Sequence, residues 1–288
     1  MTGSALPPDN HVHSQFSWDA VGRTSMEAAC RRALELGLPS VAFTEHLDLV
    51  PWYVPPVALD MFPRVGARYV GEDSTFRAPA VDLDGYFASI ERCRSLFPSL
   101  RILTGVEFGE PHWFGRDLAE LLARGHFQRV LGSLHSLEFE GRPRVLDEWF
   151  HTQAIAGEAE AAAVRAYLAE LTRMAETGGG FEVVAHIDYL VRQIRQAGRD
   201  HEPRAFEAEY RETLSSLARS GRVLEINVRL PLDPLLVRWW HEVGGGAVSF
   251  GSDAHTPGGV GARFAEAAAV AEAAGFRPQA DRFDFWRR

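Results

Sequence analysis

The chain is poor in cysteine, short of positive charge and without any long apolar run. Of its 288 residues only Cys30, in "ACRRALELG", and Cys93, in "ERCRSLF", are cysteine. They stand far apart in sequence with no partner at metal-finger spacing, which excludes a thiolate finger; both read as reduced residues of core or flank. No apolar stretch approaches the ~20 residues that a membrane span needs. The opening "MTGSALPPDN" has neither the basic nor the apolar region of a signal peptide, so a soluble cytoplasmic protein is expected. With 30 basic against 39 acidic residues the formal net charge is -9, which would repel a phosphate polymer. No basic patch interleaved with aromatics offsets it, so nucleic acid is not an expected partner and any phosphate handled should be small and locally gripped.

Short β-branched runs recur between amphipathic stretches, the pattern of βα units around a parallel sheet. Seven candidate strands are "NHVHS", "SVAFTEH", "RILTGVEFG", "RVLGSLHSL", "FEVVAHIDYL", "RVLEINV" and "AVSFGSDAH". Between them lie helical patterns such as "TSMEAACRRALELG", which has Thr24 or Ser25 as its cap and Gly37 as its stop. The glycine triplets Gly178 to Gly180 and Gly244 to Gly246 read as turns from helix to strand, not as domain linkers. One domain over residues 1–288 is expected. Residues 48–81 break the rhythm, being rich in proline and aromatics without a period; a lid or pocket wall is the expectation there.

Six of the seven strands end in groups that can bind a metal: His11 and His13; His46; Glu107; His135; His186; and Asp253 with His255. The exception, "LEINVR", offers Glu225 within the strand and Asn227 and Arg229 near its end. In a closed parallel barrel the C-terminal strand ends converge on one face. The H-x-H and D-x-H spacings put both members of each pair on the same side of a strand. A lone strand histidine is usually a satisfied core or surface residue, but six strand ends in the same state are not easily a coincidence. His126, His151, His201 and His241 read as surface residues, and His112 either lines the pocket or has a structural role. Imidazoles mixed with carboxylates suit zinc, manganese or iron(II), and the donors are too many for a structural zinc site. Two or three ions with open positions point to hydrolysis, since such ions bring the pKa of water near neutrality and offset charge on a reacting phosphate.

"HVH", "TEH", "GVE", "GSLH", "AHID" and "GSDAH", in this order, resemble the PHP superfamily of metal-dependent phosphoesterases, over nearly the whole chain. The resemblance implies an α/β fold, a single-domain distorted (β/α)7 TIM-like barrel with its metal site at the C-terminal strand ends. It implies one ion at His11, His13, Glu107 and Asp253, a second at His135 and His186 bridged by Glu107, and a third at Asp19, His46 and His255. "HSQFSWD", "AHIDYLVRQ" and "SDAHTPGGVGARF" are similar to the histidinol-phosphatase branch, in which aspartate often takes the Asp19 position. Phosphate-gripping arginine then falls at Arg192, with Arg229 a stand-in because "LEINVRLPLDPLL" departs from the branch's usual threonine and "GLR" stretch. Proton donation to the leaving group falls to water on the third ion or to His46 or His255. The implied reaction is hydrolysis of L-histidinol phosphate. Another small phosphate, such as a nucleotide or phosphodiester, and a metal-binding module without catalysis stand as alternatives.

Overall fold

The β-branched runs pair as their composition predicts. The computed structural model describes residues 6–54, 68–139, 142–146 and 158–288. Strands β1 (Asp9–Val12) and β2 (Ser40–Leu47) open the main sheet, and the short pair β3 (Trp52–Tyr53) and β4 (Thr75–Phe76) lies outside it. β5 (Arg101–Gly109) and β6 (Arg129–Ser133) continue it, and the hairpin β7 (Ser136–Phe139) and β8 (Arg142–Val145) again stands apart. β9 (Val183–Val184), β10 (Val223–Asn227), β11 (Ala247–Gly251) and β12 (Trp286–Arg287) complete the order β1-β2-β5-β6-β9-β10-β11-β12. Every pairing from β1 to β11 is parallel, and β12 joins antiparallel. The seven parallel strands are the seven read from the sequence, in a mixed α/β fold whose eight-stranded sheet curls into a half-barrel. Past β11 the chain returns to β1 through a Val12–Ala254 bridge, with Asp253 N–H donating to His11 O at 2.8 Å.

Helices cover the sheet: α1 (Met26–Leu36), α2 (Leu83–Leu96), α3 (Gly115–Arg124), α4 (Glu158–Thr177), α5 (Tyr189–Gln196), α6 (Glu207–Arg219), α7 (Pro234–Glu242) and α8 (Phe264–Ala273). Ser25 caps α1 by accepting from Ala28 N–H, and Gly37 ends it at φ 71°. Its buried face, Met26, Ala29, Cys30 and Ala33, follows the helical period and meets α2. There Cys30 and Cys93, remote in sequence, lie together as buried free thiols. Gly105, in the middle of β5, leaves room where a Cβ would lie 2.9 Å from Arg129 O and 2.6 Å from a Thr44 methyl.

Two helices were not anticipated. "DYL" was assigned to the fifth strand, but β9 ends at Val184 and α5 begins at Tyr189, a turn that passes through His186 at φ 24°. The other, α7, carries legible signals, with Asp233 accepting from Leu235 N–H at 2.8 Å and Pro234 in the first turn.

Two of the histidines read as surface residues are half-buried instead. His201 stacks on Phe206 and lies 3.1 Å from Tyr210 Oη, while His241 packs edge-on against Phe276. His126 is exposed, and His151 lies outside the described residues. Burial, with help from Arg195, pushes the His201 pKa down to about 4. Its neutral ring therefore adds stability that is complete above the unfolded value near 6.5 and is lost as pH falls toward 4. Between pH 7 and 4.5, urea unfolding of wild type should lose about 1 kcal/mol more than unfolding of His201→Gln, after allowance for solvent screening. Equal losses would show that the ring is not held neutral.

The described residues of the 48–81 segment form a small apolar cluster of their own. Trp52 stacks on Phe76 at 5.1 Å across β3 and β4, and Val50, Val54, Trp18, Tyr69 and Val70 pack around them. Trp52 Nε1–H donates to Ser136 Oγ at 2.5 Å, which ties this cluster to β7. Residues 55–67 of the segment lie outside the described residues.

Candidate metal centre

The strand ends bring the chemistry together. His11 lies on β1 with His13 just beyond it, His46 is at the end of β2 and Glu107 within β5. His135, His186, Asp253 and His255 follow β6, β9 and β11, and Asp19 sits in the turns after β1. His11, His13 and Glu107 are fully buried, and the other ligand candidates are nearly so. Besides His186, Asp253 has a positive φ, 53°, and such conformations collect where function sets the backbone.

Glu107 is the hub. Its Oε2 lies 3.2 Å from His11 Nε2, 3.4 Å from His13 Nε2 and 3.0 Å from His46 Nδ1; its Oε1 lies 2.7 Å from His186 Nε2 and 3.2 Å from His135 Nε2. Asp253 Oδ1 lies 3.5 Å from His13 Nε2 and 4.0 Å from His11 Nε2. Asp19 Oδ2 lies 2.7 Å from His255 Nε2 and 3.6 Å from His46 Nε2. Four sets of three can each converge on one ion: His11, His13 and Asp253; His11, Glu107 and His186; His46, Glu107 and His135; His13, His46 and His255. The nine residues singled out in the sequence thus form one continuous cluster.

Proton counting identifies what this cluster accommodates. The Ser17 hydroxyl donates to Glu45 Oε2 at 2.6 Å, so toward His13 Nδ1, 2.9 Å away, it can only accept. His13 Nδ1 therefore carries the proton. His11 Nδ1 faces the Glu225 carboxylate at 2.7 Å and carries its proton too. The two Nε2 atoms, 3.1 Å apart and both beside Glu107 Oε2, then face each other, an arrangement satisfied by a second proton on His11 or by a metal ion between them. His46 Nδ1, Glu107 Oε2 and His255 Nε2 are buried close to opposite partners yet make no hydrogen bond among the described residues, an arrangement suited to ligand atoms that share an ion. The donor set fits divalent ions of the zinc, manganese or iron type.

The electrostatics are polarised. Burial opposes the imidazolium of His11, but Glu225 and Glu107 outweigh it and raise its pKa well above the usual range. Burial, with His46 and His255, drives His13 well below that range. Burial also opposes the charge on Glu107, yet His11, His46 and His135 hold its carboxyl well below the ordinary range. Asp253 is kept ionised in the same way against burial, by Arg229, His13, His11 and Arg192.

Arg192 is buried, donates from Nη1 to Asp253 Oδ2 at 2.7 Å, and leaves Nε and Nη2 without a hydrogen-bond partner among the described residues. The Arg229 side chain is half exposed, and its Nη1 donates to Asp253 Oδ1 at 3.2 Å and lies 3.1 Å from His255 Nδ1. His112 does not join the cluster: its Nε2 lies 2.7 Å from Glu170 Oε1 on α4, an anchor shared by Trp113 Nε1. Sequence reasoning missed Asp48, whose Oδ1 lies 3.0 Å from His135 Nδ1 and whose Oδ2 accepts from Trp18 Nε1–H at 3.0 Å. Its position two residues after His46 was a usable signal, since alternate residues share a face.

Residues 9–229 match the PHP domain family. The chain is 26% identical to the histidinol-phosphatase of Lactococcus lactis subsp. lactis over 86% of this chain and 83% of that one. It is 28% identical to a Deinococcus radiodurans protein named "Probable histidinol-phosphatase", over 90% of each. Its fold is similar to the crystal structure of a histidinol phosphate phosphatase from Lactococcus lactis complexed with zinc, L-histidinol and phosphate, with a TM-score of 0.73, 22% identity and 95% of each chain covered. No helix among the described residues is long and apolar enough to cross a membrane. By the match that spans β1 to Arg229, the chain belongs to the PHP domain family.

Proposed function

We propose that this protein is a metal-dependent phosphatase that hydrolyses L-histidinol phosphate to L-histidinol and phosphate, acting in the cytoplasm as a single-domain, distorted (β/α)7 barrel over residues 1–288. The observation that carries this is the convergence of five imidazole nitrogens on the buried Glu107 carboxylate, within a cluster that offers four sets of three donors each able to close on one ion. The names of the two relatives support the choice of substrate.

Two to three ions, zinc, manganese or iron(II), are assigned to His11, His13, Glu107 and Asp253; to Glu107, His135 and His186; and to Asp19, His46 and His255. Bound there, they would supply a water acidified toward neutral pH and offset the charge of the phosphate oxygens. Arg192 and Arg229 orient the phosphate, as charge-assisted donors beside Asp253. His46 and His255, on either side of Asp19, are placed to pass a proton to the leaving oxygen. The aromatic wall at Trp52 and Phe76 serves as a pocket wall that limits water access.

The test is a phosphate-release screen over small phosphomonoesters, nucleotides and a phosphodiester, with zinc, manganese and iron(II) supplied separately. Histidinol phosphate should give the highest kcat/KM. Preference for a nucleotide or diester would move the substrate assignment to the "LEINVRLP" departure, and metal uptake with no turnover of any ester would overturn the enzymatic reading.

A further inference from the structure

Glu225 lies on β10, between β9 and β11, and is not itself in any converging set. It is buried, and all its contacts face the site. Oε1 accepts from His11 Nδ1 at 2.7 Å; Oε2 accepts from the backbone N–H of His186 at 2.7 Å and from Asn227 Nδ2 at 3.0 Å. The fold makes room for this carboxylate: a Cβ on the neighbouring Gly251 would lie 2.0 Å from Oε1 and 2.7 Å from the His11 Cβ.

The three donors differ in one respect. His186 N–H and the Asn227 amide can only donate in this geometry, so Oε2 must be an acceptor. His11 Nδ1 can donate or accept, according to its tautomer. Glu225 accepts at both oxygens and so fixes the proton on Nδ1, which frees Nε2 toward Glu107 and His13. We propose that Glu225 is a positioning residue that sets the tautomer of His11 and thereby its capacity to bind a metal. This rests on the metal-centre reading of the cluster and not on the choice of substrate.

An isosteric change separates this role from a structural one. In Glu225→Gln the amide has one acceptor, and two fixed donors claim it. The NH2 group must then face His11 Nδ1, which has to become an acceptor, and the proton moves to Nε2 where the metal should be. The same reasoning applies when an amide replaces the histidine-orienting carboxylate of a catalytic triad. Glu225→Ala imposes neither tautomer, although it leaves buried donors unpaired. The structural and functional effects therefore run in opposite orders: Ala is the less stable variant and Gln the poorer metal binder.

The experiment is a zinc titration of metal-free wild type, Glu225→Gln and Glu225→Ala, together with nitrogen-15 NMR of histidine-labelled, metal-free protein followed across pH, so that the His11 tautomer is read in the neutral form of the ring. Glu225→Gln should weaken zinc binding roughly 10–100-fold, as loss of a carboxylate behind a metal-bound histidine does, and should place the His11 proton on Nε2. Glu225→Ala should bind zinc more tightly than Gln despite a lower melting temperature. A Gln variant with the Nδ1 proton and wild-type zinc affinity would overturn the proposal. So would an affinity order that follows stability. If Ala does not fold, the Gln variant alone decides, because it preserves shape and both fixed hydrogen bonds. Neither readout uses substrate, so a wild type that binds zinc but ignores histidinol phosphate would refute the proposed substrate and leave this inference intact.

Discussion

Glu107→Ala is expected to lower phosphate release by on the order of 10³-fold or more and to abolish tight metal binding. Five imidazole nitrogens lie within 3.4 Å of the Glu107 oxygens, two of them on Oε1 and three on Oε2. Neither oxygen can be spared, because each serves a different group of rings. Loss of the carboxylate removes the anion that offsets any cation held by these neutral rings and leaves a buried cavity lined with polar nitrogen. Thermal unfolding with and without zinc separates the metal effect from folding. At a free zinc concentration 100 times Kd, wild type should gain about 2.7 kcal/mol, and the variant should gain almost nothing. Glu107→Gln should fall between them, since its amide keeps the volume but offers only one acceptor to two groups of rings. Full activity in a Glu107→Ala protein depleted of metal would refute the metal centre altogether.

What was legible in the sequence followed from period and termination. The seven parallel strands and their order could be read because strands buried on both faces are continuous β-branched runs that stop at polar residues. The cluster could be read because those stops are the C-terminal strand ends, which a parallel sheet gathers on one side. The misses have equally local causes. In "AHIDYLVRQ" the apolar run passes without a break from strand to helix, and the turn sits on His186, a residue with no sequence mark of positive φ. Cys30 and Cys93 are free and buried as read, and only their proximity, which comes from the packing of α1 on α2, was beyond the sequence. His201 lies in a polar stretch and His241 in the last turn of a helix, and only the tertiary contacts with Phe206 and Phe276 bury them. Asp48 and Glu225 were under-read for a different reason: they touch the histidines from behind, on Nδ1, and a search for ligands looks only at the front.

Arg192→Lys is expected to raise KM for the phosphoester roughly 10–100-fold while zinc content stays at the wild-type level. The guanidinium is buried with one nitrogen committed to Asp253 at 2.7 Å, and its Nε and Nη2 make no hydrogen bond among the described residues. Buried donors are rarely left so, and a phosphate offers paired oxygen acceptors that a planar guanidinium fork fits. Lysine keeps a positive charge against Asp253 but loses the fork, and each lost charge-assisted bond costs about 1.5–3 kcal/mol. Arg192→Ala is a harsher change: it leaves Asp253 without a buried counter-charge, a loss of about 3–5 kcal/mol in stability, and should reduce metal binding as well as activity. The two variants therefore divide the roles of one side chain. A Lys variant with unchanged KM and depleted zinc would make Arg192 a support for Asp253 alone, and phosphate recognition would then fall to Arg229, which also holds Asp253 but whose side chain is 48% exposed.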